Sequence, residues 1–325
     1  MTAPCAGKPR TVSKAWTAVS NTHKANLLAT LRERFGELHK IKGSESLFKV
    51  GNEAARVYIR YSKVHRGGRT FFGLREVDLR QLEGHNAFLC FVLDDGSPPV
   101  FVPYGDFEEI FRNADTAKDG QYKLQLISQG DARELYIARQ GRFNVEGYVG
   151  YDSLARSLDA KCLSEVRDLT HSQVQTLLGG IGHNKGYEVW VPANDVGKLD
   201  WSMTKRFALR RSIPAGFQPV REILSEIDIV WVARGRETIA GLFEVEHSTT
   251  IYSGLLRFND ILLTEPKVSR FSIVSNDSRR AVFARQLRRP TFRQSGLSDL
   301  TSFLEYANVV DWHARVMKGA VDAQN

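Results

Sequence analysis

The sequence predicts a mixed α/β chain in two parts. A β-rich α+β half comes first, and a mixed sheet with helices on both faces follows. Three observations carry this. Short alternating apolar segments dominate the first half, helical and strand periods alternate in the second, and the pattern changes around residues 150–168. The chain has 325 residues, 42% hydrophobic and 25% charged. That is enough for about two domains with separate cores, and the expected division is 1–155 and 156–325.

The elements follow in order. Residues 13–40 are expected to hold a leading helix, because Leu27, Leu31, Phe35 and Leu38 recur at helical spacing. "RVYIRYSKV" alternates Val57, Ile59 and Tyr61 with Arg56, Tyr58 and Arg60, the pattern of a half-buried strand. Strands are expected at "RTFFGLR", "AFLCFVL", "VFVPY", "YKLQLI" and "RELYIAR", with short helices at "VDLRQLEG" and "GDFEEIFRNA". In the second half "THSQVQTLLGGIGHNKG" reads as a helix with a glycine-rich exit, and "YEVWVPAND" as a strand. The basic insertion "KLDWSMTKRFALRRS" precedes the strand "EIDIVWVA". A hairpin at "RGRE" leads to "TIAGLFEVEH". A helix at "TIYSGLLRFNDILL", a strand at "SRFSIVSN" and an Arg-rich helix at "DSRRAVFARQLRR" complete the order α-β-β-β-α-β-α.

The formal net charge of +8 favours polyanionic partners. No apolar run approaches the roughly 20 residues of a membrane span. "MTAPCAGKPR" lacks the apolar segment of a secretory signal. Cys5, Cys90 and Cys162 are too widely spaced for a disulfide framework or a zinc site. A cytoplasmic protein with no membrane association is expected.

The chemistry concentrates in "FEVEH". Side chains two apart on a strand share a face, so Glu244 and Glu246 project together while Phe243 and Val245 face the other way. Asp228, in "EIDIVW", lies on the preceding strand, and the short "RGRE" turn makes the two strands neighbours. Three carboxylates then converge, which is costly without a cation. Mg²⁺ suits such a site, since it takes one or two carboxylates plus water and substrate oxygens. On the residues alone a second reading stays open, in which these acids are surface groups of a partly solvated strand.

Asp228 followed by Glu244-Val245-Glu246, after a helix–strand opening and before a long helix, resembles the PD-(D/E)xK nuclease superfamily. The longer run "FEVEHSTTIYSGLLRFNDIL", with "GYEVWVPAND" upstream and "RRPTF" downstream, is similar to prokaryotic restriction-endonuclease-like proteins over about residues 169–295. The resemblance implies a restriction-endonuclease-like core and Mg²⁺-dependent hydrolysis of DNA phosphodiesters, most simply as a type II restriction endonuclease. It also implies 5′-phosphate and 3′-hydroxyl ends. Asp228 and Glu244 would be metal ligands. Glu246 stands where the superfamily usually has Lys, as in a few restriction enzymes, and would position the attacking water or accept its proton. The alternatives are a non-catalytic DNA-binding or regulatory protein on a decayed core, and an RNA- or repair-directed nuclease. Cutting both strands of duplex DNA with one site per chain implies a homodimer.

Other residues are candidates for lesser roles. Glu188 is a possible additional acid. Lys205, Arg206, Arg210 and Arg211 form one basic stretch, and Arg279, Arg280, Arg285, Arg288, Arg289 and Arg293 another. Either could contact DNA phosphates or be a solvated face. Arg56, Arg60, Lys63, Arg66 and Arg69, with Tyr58 and Tyr61, are expected on a basic, aromatic face that either reads DNA or is plain sheet surface. "GGIGHNKG" lacks the GK[ST] ending of a phosphate loop and is not read as a nucleotide site.

Overall fold

The computed structural model describes residues 14–51, 53–129, 132–160, 169–247, 250–268 and 270–322. The first half runs α1 (Lys14–Phe35), β1 (His39–Lys40), β2 (Leu47–Val50), β3 (Ala55–Ser62), β4 (Phe72–Arg75), α2 (Glu76–Arg80), β5 (Ala87–Leu93) and β6 (Val100–Pro103). It continues with α3 (Glu108–Arg112), β7 (Gln121–Gln129), β8 (Ala132–Ile137), β9 (Gly141–Asn144) and α4 (Asp152–Ala160). The expected leading helix stops earlier than residue 40. Gly36 takes φ +82° and its N–H closes the last turn on Arg32 O, a left-handed stop that glycine adopts without strain. Ser13 lies outside the described residues.

Two sheets form here, ordered β1-β2-β3-β5-β6 and β4-β7-β8-β9. Strand β3 lies between β2 and β5, and it is not half-buried as its alternation suggests. Residues Ala55 to Ile59 are all buried, because apolar clusters cover both faces of this sheet. Arg56 and Tyr58, expected on an exposed basic face, are therefore inside. The Tyr58 hydroxyl donates to Asp78 Oδ2 at 2.8 Å.

The second half runs α5 (His171–Asn184), β10 (Tyr187–Trp190), α6 (Ala193–Val196), α7 (Arg221–Leu224), β11 (Ile229–Ala233), β12 (Thr238–Val245) and α8 (Ile251–Thr264). Then come β13 (Phe271–Ser275), α9 (Arg280–Leu287), α10 (Pro290–Gln294), α11 (Leu297–Leu300), β14 (Thr301–Glu305) and α12 (Tyr306–Asp322). The sheet is mixed, ordered β10-β11-β12-β13-β14, with the first two pairings antiparallel and the last two parallel. Alternation sorts β12 between two cores. Phe243 and Val245 pack with α5 and α12, whereas Leu242 packs with α8. The expected α-β-β-β-α-β-α order is present, interrupted by the short helices α6 and α7 between β10 and β11 and extended by α10, α11, β14 and α12.

The glycines of "GGIG" lie inside α5, not at its exit. A Cβ on Gly179 would meet Phe207 at 2.5 Å and one on Gly182 would meet Trp231 Nε1 at 2.4 Å, so they admit aromatic rings to the helix surface. A polar seam joins the two halves of the chain. The Lys185 ammonium lies 2.7 Å from Glu108 and 3.4 Å from Glu83, and Arg270 reaches Glu83 at 2.8 Å. The indole N–H of Trp312 donates to Glu108 Oε1 at 3.0 Å.

Candidate active site

The hairpin register assembles the acids. Ile229 pairs with Phe243, so the ladder continued one step puts Asp228 opposite Glu244. Asp228 is fixed from three directions. Its Oδ2 accepts from the Val245 N–H at 2.6 Å, His171 Nε2 lies 3.2 Å from Oδ1, and Gln175 Nε2 donates to its carbonyl at 2.9 Å. Helix α5 aims these partners. A capping box between Thr170 and Gln173 sets the first turn, and His171 and Gln175 are four apart on one face. The bond to Asp228 raises the His171 imidazole above its ordinary value, against the opposing effect of burial.

Glu244 is 1% exposed at the centre of the sheet. Arg257, on α8, grips it with a fork: Nε donates to Oε1 at 2.7 Å and Nη2 to Oε2 at 3.0 Å. Burial nonetheless pushes the Glu244 carboxyl up to about 8. Arg257 opposes that rise, and the charges of Asp228 and Glu246 add to it.

Glu246 is 2% exposed, just beyond the end of β12. Its N–H bonds Val274 O at 2.9 Å, and its carbonyl accepts from Ser275 Oγ at 2.5 Å and Arg279 Nη1 at 2.6 Å. Gly254 of α8 lies over this face. A Cβ there would stand 2.7 Å from Glu246 Oε1 and 3.4 Å from Glu244 Cβ, so the missing side chain leaves room for the two glutamates. His247 closes the strand end, its ring stacked on Tyr306 with centroids 6.2 Å apart. Burial, chiefly, pushes the Tyr306 phenol up to about 12.

The structure thus brings together Asp228, Glu244 and Glu246, and adds Arg257, Gly254, His171 and Gln175, which the sequence reading missed. Arg257 did leave a signal, as the lone arginine of the otherwise largely apolar "IYSGLLRFNDILL", one turn from Gly254. The Thr170-x-x-Gln173 box marked the start of α5 and hence His171. Among the described residues, no group of three or more acidic, histidine or cysteine side chains stands ready-made to hold a metal ion.

Glu188 does not join the acids. It pairs with Val232, four residues along the strand from Asp228, and forms an ion pair with Arg210. Arg210 also binds Glu237 at 2.6 Å, so it ties β10 to the β11–β12 turn. Arg280 is bound to Glu305 and to Asp277. Arg206 lies over the Trp201 ring at 5.3 Å and Arg289 over Tyr252 at 4.4 Å. Lys205, Arg211, Arg285, Arg288 and Arg293 are exposed. In the first half Arg60 and Lys63 are half-buried. Arg66 and Arg69 are exposed on the turn closed by the His65–Arg69 bridge, beside Phe71, which is 55% exposed.

The site is thus a mixed sheet whose neighbouring strands bring three carboxylates together under one helix. Residues 155–323, just over half of the chain, match the family described as the Type II restriction enzyme NmeDI C-terminal domain, and the chain belongs to that family. A relative is the Type II restriction enzyme NmeDI of Neisseria meningitidis serogroup C. It is 28% identical over 134 residues, 38% of this chain and 37% of the relative. The chain thus matches well under half the length of that protein. No solved structure matches the chain. Among the described residues, no helix is long and apolar enough to cross a membrane.

Proposed function

We propose that the chain is a type II restriction endonuclease that hydrolyses DNA phosphodiesters with Mg²⁺, on a PD-(D/E)xK core carrying an E-x-E variant. The observation that carries this reading is the opposition of Asp228 and Glu244 on neighbouring strands, with Glu246 on the Glu244 face beneath Gly254. Family membership supports it. Residues 156–325 would form the nuclease domain and 1–155 the target-recognition domain, acting on duplex DNA as a homodimer in the cytoplasm.

The donor set is hard oxygen, which suits Mg²⁺. Asp228 and Glu244 would hold the ion once Arg257 releases its fork. The chemistry such an ion supplies when bound is activation of water and neutralisation of charge building on the scissile phosphate. His171 and the Val245 N–H hold Asp228 in place. Glu246 orients the attacking water or takes its proton. Arg257 provides, from the helix, the positive charge that Lys supplies in the common motif, and keeps Glu244 aimed between uses. Exposed Arg66 and Arg69, with Lys205, Arg211, Arg285 and Arg288, would contact phosphates.

The fork also favours a second reading. An arginine that occupies both oxygens of Glu244 is what a decayed, purely DNA-binding core would retain. Incubation with plasmid, modified phage DNA and RNA, with Mg²⁺ or EDTA, separates the two. The expected result is metal-dependent DNA cutting that Glu244→Ala abolishes. Tight DNA binding with no cleavage of any substrate sinks the proposal, and preferential RNA cutting redirects it.

A further inference from the structure

We infer that the cavity between the two halves of the chain is a binding site for a nucleotide-sized organophosphate, with Arg56 as the cation that meets its phosphate. The cavity measures about 470 Å³, within the range of small-molecule sites and too small to admit a duplex. The first half contributes Arg56, Val77 and Arg80 to its walls, and the second half Tyr187, Arg236 and Arg270.

Arg56 sets the chemistry. Its residue is 7% exposed, and its guanidinium donates to the Gln81 carbonyl. Among the described residues it makes no ion pair. Glu53, the acid that acts on it electrostatically, is paired with Lys49 at 2.9 Å. A buried cation lacking a bonded counter-charge is costly to keep, and an anion entering the cavity removes that cost. Burial, with Arg270 and Arg280 nearby, holds the Arg56 guanidinium down at about 9.

The other walls suit a body larger than phosphate. Arg270 is matched by Glu83 and Arg80 by Glu76, whereas Arg236 stands exposed at the rim without an ion pair among the described residues. The wall therefore carries excess positive charge. Val77 is an apolar side chain 61% exposed, and the Tyr187 ring is half-buried in the same wall. Together they offer a planar, apolar body a surface beside the cations. Because both halves supply the walls, such a ligand binds only when they are joined.

Calorimetric titration of the full chain with dAMP, inorganic phosphate and deoxyadenosine tests this without reference to cleavage. The expected order is saturable binding of dAMP, with phosphate and deoxyadenosine each at least tenfold weaker. Arg56→Met should weaken dAMP at least tenfold, while the ligand-free variant melts at the same or a higher temperature than the unaltered chain. Absence of dAMP binding at millimolar concentration overturns the site. Equal affinity for deoxyadenosine overturns the phosphate role, and equal affinity for inorganic phosphate overturns the nucleotide-sized body. Unchanged dAMP affinity in Arg56→Met removes Arg56 from it. If that variant does not fold, Arg236→Ala at the rim decides: a several-fold loss of dAMP affinity supports the site, and no change overturns it.

Discussion

Among the described residues, two clusters of buried charge hold carboxyls that shift in opposite directions. In the seam, Glu83 and Glu108 meet Lys185 and Arg270, two acids against two bases, with the Trp312 indole completing the bonding. At the acid corner, Asp228, Glu244 and Glu246 gather around Arg257, with His171 and Arg279 at the edges. The proton affinities record the difference. Burial works to raise the Glu83 carboxyl, yet Lys185 and Arg270 bring it below its ordinary value. Burial raises Glu244 to about 8, and Arg257 cannot reverse it. A balanced set of buried charges is a fastening. A cluster whose central carboxyl stays raised despite its arginine partner is kept at a cost to stability.

The largest effect expected from this contrast is catalytic. Glu244→Gln should lower metal-dependent DNA cleavage on the order of 10³-fold in single-turnover assays, with the far-UV dichroism unchanged. A variant that cuts at the original rate would remove Glu244 from the chemistry. The same kind of change in the seam should act on folding instead. Glu108→Ala leaves the Lys185 ammonium, 4% exposed, without its nearest partner. It should cost about 3–5 kcal/mol in urea unfolding.

The pH dependences should run in opposite directions. Glu244 has a folded value near 8, above the ordinary 4.5, so its stabilising contribution is complete below 4.5 and lost as pH rises through 8. Melting of Glu244→Gln should therefore gain on the unaltered chain between pH 5 and pH 8. Glu83 is lowered, so its contribution is present above the unfolded value and lost on acidification. Glu83→Gln should melt lower at neutral pH, with the gap closing in acid; parallel curves for the two variants would break the contrast.

Smaller effects sharpen it further. Gly254→Ala would press on Glu246 Oε1, the movable end of a side chain, so cleavage should fall about tenfold while stability shifts by no more than about 1 kcal/mol. Arg66→Ala and Arg69→Ala should leave the turnover of bound DNA unchanged and each flatten the salt dependence of DNA binding by about one unit of slope. Unaltered slopes would exclude that turn from the DNA contact.

The acid corner was legible because its logic is local. A two-residue strand period and a four-residue turn, "RGRE", leave little freedom in how Asp228 meets Glu244. Arg257 was partly legible, since helix periodicity marks a face but not what that face meets. The seam was not legible, because Glu108 and Lys185 stand 77 residues apart and no periodicity links them. Arg56 misled for a related reason. Alternation reports a half-exposed strand only when one face meets solvent, and β3 lies inside a sheet packed on both sides. The strand β14 escaped notice because five residues between two helices, "TSFLE", leave too short a window for a period of two to register.

The seam also carries its own optical probe. Trp312 and Trp231 are fully buried with ring centroids 5.6 Å apart, and the Arg270 guanidinium lies 5.6 and 5.3 Å from them. The Trp312 indole is bonded to a carboxylate that comes from the other half of the chain. Parting the halves would break that bond and change the field and the hydration around the ring. Tryptophan emission therefore offers a native signal of whether the two halves are closed on each other, with no label attached.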